Sequence, residues 1–133
     1  MKKIALKSVA LLLFVSVSLI SCSKDDSGET IILANQFATA VTGPDSGAVD
    51  QDIELAVKFL PDNSCGQFNR FIETTSGSSK TIEVQVKYSG NNCGGNGVET
   101  TVPYKFRVNQ AGTYTFKFKR SASQFITKVV TVE

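Results

Sequence analysis

Residues 81–88 have the sequence TIEVQVKY, in which polar and apolar side chains alternate without a break. A period of two is typical of a β-strand that turns one face to a core and the other to solvent. The side chains expected in the core are Ile82, Val84, Val86 and Tyr88. The pattern therefore predicts a strand with one buried face and one solvent-exposed face.

The same alternation recurs on both sides of this stretch. Alternation predicts strands over residues 53–59, 82–88, 102–108 and 114–118, and β-branched content predicts another over residues 125–132. Two weaker candidates are residues 31–41 and 67–75. Segments with turn-forming residues lie between them, at 43–47, 61–63, 76–78, 89–92 and 110–112. About seven short strands at this spacing predict an all-β domain over residues 31–133, an antiparallel sandwich or barrel.

The segment Gln110-Ala111-Gly112-Thr113-Tyr114-Thr115-Phe116 resembles the turn and sixth strand of immunoglobulin-like domains. The resemblance implies an antiparallel immunoglobulin-like β-sandwich, in which Tyr114 buries its ring at a corner and its hydroxyl bonds a nearby backbone group. Gln110 stands where Asp is usual, Phe116 where Cys is usual, and the chain has no Trp. These departures exclude an antibody-like disulfide framework. The alternative is an ordinary aromatic residue in a hairpin.

The N-terminus has the layout of an export signal. Lys2, Lys3 and Lys7 precede an apolar stretch over residues 9–20 that is too short to span a bilayer. Leu19-Ile20-Ser21-Cys22 resembles a bacterial lipobox, although a small residue is more usual at the position of Ile20. The resemblance implies a cleaved signal helix over residues 1–21 and a Cys22 that carries diacylglycerol and an acyl chain such as palmitate. An ordinary signal peptide cut near Ser21 or Ser23, or a short membrane anchor, are the alternatives.

The residues after Cys22 indicate the membrane to which the protein is sorted. Inner-membrane lipoproteins of Gram-negative bacteria usually carry Asp where this chain has Ser23, and Lys24-Asp25-Asp26 is similar to the surface-export signal of Bacteroidota lipoproteins. The resemblance implies an outer-membrane lipoprotein on the cell surface, or otherwise on the periplasmic face. A charged, solvated linker is the alternative. Residues 22–30 are predicted to form the lipidated Cys and a flexible tether.

Composition narrows the function classes. Three of the 14 basic residues lie in the predicted signal peptide, so 11 remain against 12 acidic residues, and no basic stripe for nucleic acid survives. The chain has no His, which removes the commonest general base and zinc ligand. Asp45, Asp50 and Asp52 fit calcium-loop spacing poorly. The sequence therefore predicts no catalytic residues, no metal and no cofactor.

Cys65 and Cys93 are the thiols that remain after Cys22 is lipidated, and an isolated pair in an exported protein predicts a disulfide. Cys93 lies in a loop with the sequence GNNCGGNG over residues 90–97. A bridge would hold this loop in place and lower the entropic cost of presenting Asn91, Asn92 and Asn96 as binding residues. A stapled surface loop without a ligand is the alternative.

The sequence is compatible with two alternative functions. The first is a non-enzymatic immunoglobulin-like module that is anchored to the outer membrane and serves in binding, adhesion or envelope structure, with a protein or glycan ligand and the membrane as partners. The second is a small surface hydrolase or carbohydrate-processing protein with a carboxylate site that the sequence does not reveal.

Overall fold

The computed structural model describes residues 28–133, which form nine β-strands and no helix. The strands are β1 (Ile31–Gln36), β2 (Ala38–Thr42), β3 (Ser46–Gly47), β4 (Ile53–Phe59), β5 (Gly66–Ser76), β6 (Ser79–Ser89), β7 (Thr100–Phe106), β8 (Gly112–Lys119) and β9 (Phe125–Val132). The predicted signal helix over residues 1–21 and Cys22 lie outside the described residues. Within residues 28–133, no helix has the length and hydropathy that a membrane crossing requires.

The strands form two sheets. The larger sheet has six strands, with β1, β6, β8, β9 and β3 in that order and β5 paired to β6. The smaller sheet has the order β2, β4, β7. Strand β6 organises the larger sheet, because β5 pairs along its full length, β1 pairs with residues 84–89, and β8 pairs with residues 79–82.

One hydrophobic core lies between the two sheets, and the alternating side chains fill it as the sequence predicts. All four predicted residues of β6 are buried. The facing sheet contributes the inward side chains of β4 and the aromatic rings of β7. Tyr104 of β7 packs edge-on against Phe118 of β8, with ring centroids 5.5 Å apart, and against Phe116 at 5.8 Å. These contacts join the sheets and confirm the all-β, two-sheet prediction.

The larger sheet is mixed, which corrects the prediction of an entirely antiparallel fold. Strand β8 runs parallel to β6, and β3 runs parallel to β9. The direction of β8 is not set by a hairpin, because the chain passes through β7 in the other sheet before it returns. The strand count is nine rather than about seven for two reasons that both concern the first third of the domain.

The first reason is that residues 31–41, a single candidate in the sequence, form two strands in different sheets. The chain leaves the larger sheet at Phe37 and enters the smaller one at Ala38, which is buried. The second reason is β3, which lies inside a predicted turn. Gly47 has no side chain, and a Cβ there would meet Ile53 Cδ1 at 2.3 Å, so the backbone packs directly on the start of β4.

Tyr114 makes the backbone hydrogen bond expected of a corner residue, but its ring is less buried than predicted. Its ring is half-buried against the core. Its hydroxyl donates to the carbonyl oxygen of Gln110 at 2.8 Å, four residues upstream. The hydrogen bond closes the turn that leads into β8 and fixes the ring at the end of the strand.

Candidate functional site

The predicted pair of cysteines meets at the end of the domain where β4 and β6 finish. The sulfur atoms of Cys65 and Cys93 lie 2.11 Å apart and their Cα atoms 5.2 Å apart, which is disulfide distance. Cys65 precedes β5, and Cys93 lies in the loop between β6 and β7. The bridge therefore joins two loops that the sequence separates by 28 residues.

Two further contacts hold the loop over residues 90–97 against the segment 61–65. The backbone N–H of Ser64 donates to the carbonyl of Gly95 at 3.0 Å. Gly97 lies so close to the carbonyl of Pro61 that a Cβ atom would stand 1.9 Å from its oxygen. A sequence rich in Gly and Asn thus takes a defined path, because it is tied at three places along its length.

A groove of about 310 Å³ lies beside this pair of loops. Its lining residues are Thr30, Ile32, Ala34, Asp62, Asn63, Tyr88, Gly90 and Cys93. The floor comes from one face of β1, where Ile32 and Ala34 lie opposite Tyr88 and Val86 of β6. The volume is at the small end of the range for ligand pockets, and apolar floors with a few polar groups are typical of them.

The polar end of the groove is built around the hydroxyl of Tyr88. This oxygen accepts hydrogen bonds from Gln36 Nε2 at 2.8 Å and from the backbone N–H of Asp62 at 2.9 Å. Gln36 Nε2 also donates to Asp62 Oδ2 at 2.7 Å. The three side chains hold one another in position, so the carboxylate of Asp62 is presented at the groove by a fixed network.

The three predicted binding residues are exposed on the tied loop. Asn91 and Asn92 fall between Gly90 and Cys93, which line the groove, and Asn96 lies further along, beyond the hydrogen bond at Gly95. None of the three is among the lining residues. They therefore lie outside the lining of the groove, and we refer to the loop that carries them as its rim.

Sequence reasoning missed Ile32, Asp62 and Tyr88 as site residues. The sequence predicts Asp62 only as part of a turn, and it predicts Tyr88 as a core residue of β6. Their convergence depends on the pairing of Ile32 with Tyr88, which joins segments 56 positions apart. No local pattern predicts such a pairing.

Two of the three acids considered for calcium, Asp45 and Asp52, have cationic partners. Asp45 forms an ion pair with Lys128, and Asp52 Oδ1 lies 2.8 Å from Arg107 Nε. The hydrogen bond and charge of Arg107 hold the pKa of Asp52 below its usual value. Residues 28–133 contain no group of three or more His, Cys, Asp or Glu that could hold a metal ion.

A second, more open depression lies at the other end of β4. Its lining residues are Asp50, Arg107, Val108, Asn109 and Tyr114, and its volume is about 480 Å³. Asp50 takes a left-handed backbone conformation with φ of 59°, and its N–H donates to the carbonyl of Val108. The depression is shallower, and the cation that lines it, Arg107, is already paired with Asp52, so the groove at β1 is the stronger candidate.

Comparisons of the chain with protein-family models, with curated proteins and with solved structures returned no match. What the protein does is therefore inferred from its own residues.

Proposed function

We propose that this chain is a non-enzymatic binding protein, held on the bacterial outer membrane by lipid at Cys22 and displayed on the cell surface, with an immunoglobulin-like domain. The ligand is a protein or glycan group that enters the groove between β1 and the disulfide-tied loops. The observation that carries the binding role is the groove itself, because its floor, rim and polar end are each fixed by separate contacts.

The chemistry of the groove suits recognition. Ile32 and Ala34 offer apolar surface, and the Asp62 carboxylate offers an acceptor at one end. The amides of Asn91, Asn92 and Asn96 lie outside and can donate to or accept from sugar hydroxyls or a backbone. A ligand with a short apolar part and a hydrogen-bond donor would match this arrangement.

The position of the groove agrees with anchoring through the N-terminus. Thr30 is the last residue of the predicted tether and also lines the groove. A coil of the length of residues 22–30 spans roughly 15 Å on average. A lipid on Cys22 would therefore hold the groove at the membrane-facing end of the domain, where ligands attached to the envelope are concentrated.

Anchoring is tested with the full chain expressed in a Gram-negative host. Mass spectrometry of the mature N-terminus should find Cys22 as the first residue, with diacylglycerol and a fatty acid attached. The Cys22→Ala variant should leave the membrane fraction. An unmodified terminus at Ser23, or at another residue, would refute the lipid anchor.

Binding is tested by a pair of substitutions on adjacent residues. Ile32 and Ile31 are similarly exposed, but they lie on opposite faces of β1. In a screen of small fragments and a glycan array, Ile32→Ser should lose the hits of the wild type while Ile31→Ser keeps them. Replacement of Asn91, Asn92 and Asn96 by Ser reports on the rim. If none of these variants changes the hits, the site lies elsewhere.

The alternative hydrolase function has a direct test. Hydrolysis by a carboxylate pair needs two acids across a scissile bond, and Asp62 is the acid that lines the groove. Turnover of any compound in a panel of nitrophenyl glycosides and esters, lost in Asp62→Asn, would overturn the binding role. We expect no turnover.

A further inference from the structure

Strand β1 lies at a sheet edge. It pairs with β6 along one side, from Ile31 opposite Ser89 to Gln36 opposite Val84, and with no other described strand. Along the other side, every second residue points its N–H and C=O away from the sheet. An edge of this kind is a template for another strand, and proteins normally protect such edges.

The other edges among the described strands carry recognisable protection. Strand β2 has a bulge between Ala38 and Ala40, and β5 has one between Phe68 and Arg70. Strand β7 contains Pro103, and β3 is only two residues long. The part of β9 that β3 leaves open contains Lys128, which is paired with Asp45. Each of these features hinders the addition of a strand.

Strand β1 has none of these features. Its sequence IILANQ contains no charge and no proline, and its pairing with β6 has no bulge. It also exposes three consecutive large apolar side chains, since Ile31 is 55%, Ile32 57% and Leu33 52% exposed. Such an edge favours association, because added pairing satisfies the backbone and buries apolar surface together.

We propose that β1 pairs with β1 of a second copy of this chain, antiparallel across a two-fold axis, so that the two larger sheets become continuous. The lack of charge makes the strand compatible with itself, because no like charges come to lie opposite each other. A two-fold contact uses the same surface on both copies, as the identical strands require. This inference does not depend on the proposed function.

The geometry of antiparallel pairing restricts the register. Residues whose backbone N–H and C=O point outward on one copy must lie opposite residues of the same kind on the other. These residues alternate along the strand, so the two-fold axis must pass level with a residue and cannot pass between two neighbouring residues. An axis near the middle of β1 is level with Leu33 or Ala34. In either case the two Leu33 side chains lie directly opposite or diagonal to each other. A positive charge at this position would therefore repel its copy.

The test uses the full chain, purified in detergent from whichever cell fraction contains it, with the protein mass measured by sedimentation equilibrium at a solvent density that matches the detergent. The wild type should show a concentration-dependent dimer. Leu33→Lys should weaken dimerisation at least tenfold, and Ile31→Lys provides a second edge variant. Val98→Lys is the matched control, because Val98 is an exposed apolar residue in a loop. Far-UV circular dichroism checks that each variant folds.

Hydrogen exchange of the β1 amides distinguishes the outcomes. In a β1 dimer, the outward amides are protected in the wild type and exchange freely in Leu33→Lys. A wild type that stays monomeric with fast exchange overturns the proposal. A monomer with protected amides would show that the chain's own N-terminal segment pairs with the edge of β1. A Leu33→Lys variant that dimerises like the wild type would show that the dimer contact lies elsewhere. Both results would also refute it.

Discussion

The three tyrosines place the same hydroxyl group in three different settings. Tyr88 accepts two hydrogen bonds at the groove, and Tyr114 donates one to the carbonyl of Gln110. Tyr104 is 1% exposed, and its hydroxyl has no hydrogen-bond partner among the described residues. Burial raises the pKa of Tyr104, and the nearby carboxylate of Glu73, which is not hydrogen-bonded to the hydroxyl, adds to this effect through its negative charge. Removing the hydroxyl should therefore have opposite consequences at two of these positions.

Tyr114→Phe keeps the ring against the core and removes the bond to Gln110. We expect the free energy of unfolding to fall by about 1 kcal/mol, which is typical for one hydrogen bond. Chemical denaturation of the wild type and the variant measures the difference. Equal stability would show that the bond contributes nothing to this turn.

Tyr104→Phe removes a polar atom that is buried without a partner. The hydroxyl loses its contacts with water on folding and gains no hydrogen bond in return, so its removal should leave stability unchanged or raise it by up to about 1 kcal/mol. The same denaturation series decides the point. A loss as large as that of Tyr114→Phe would reveal a partner for the hydroxyl in solution.

Asp52 and Arg107 should give stability a weak pH dependence. Because Arg107 lowers the pKa of Asp52 in the folded state, the pair stabilises the fold above the usual value of 3.8, and the effect is lost as the pH falls through the lower folded value. The melting temperatures of the wild type and Asp52→Asn should differ at pH 7 and converge in acid. Both side chains are exposed, so high salt should also bring the two values together. A difference that persists in acid would contradict this account.

At the scale of elements, the loop over residues 90–97 determines one wall of the groove. Its approach to the segment 61–65 depends on Gly97, where a Cβ has no room. Gly94 lies in the same loop, and a Cβ there would meet nothing within 4 Å. The two glycines therefore differ in the space available and offer a matched comparison.

Gly97→Ala should push the loop away from Pro61 and lower stability by roughly 1–3 kcal/mol, the usual cost of overpacking. Gly94→Ala should have little effect. Denaturation measures the stability, and amide chemical shifts of Ser64 and Asp62 report on the loop contact and the groove. If the two variants behave alike, the contact at Gly97 is not what positions the loop.

The strands differ in how well their sequences predict them. Residues 53–59 and 125–132 form β4 and β9 with the predicted bounds. The alternation of β4 matches a buried face, and the β-branched residues of β9 suit a strand. The sequence does not predict the split between β1 and β2, since a change of sheet at Phe37 leaves the pattern of polar and apolar residues almost unchanged. β3 was missed because two residues paired by backbone alone carry no side-chain signal.

At the scale of the whole molecule, the local features were predictable and the long-range pairings were not. The Cys65–Cys93 pairing followed from counting thiols, and the core faces followed from alternation. The parallel pairing of β6 with β8 depends on how the chain crosses between sheets, and the groove depends on where β1 lies beside β6. Neither the parallel pairing nor the groove is encoded in any one segment. The site residues Ile32, Asp62 and Tyr88 can therefore be identified only in the folded structure.

The parallel pairing of β3 with β9 also bears on how fast the domain can form. It joins Ser46 to Thr131 and is extended by hydrogen bonds from Thr131 to Asp45 and from Glu133 to Gly47. Contacts between such distant residues form late, because the intervening chain must be ordered first. With the disulfide intact, we expect refolding to take milliseconds to seconds, with the β5–β6 and β8–β9 hairpins formed earlier. Stopped-flow tyrosine fluorescence measures the rate. Complete refolding within microseconds would contradict this expectation.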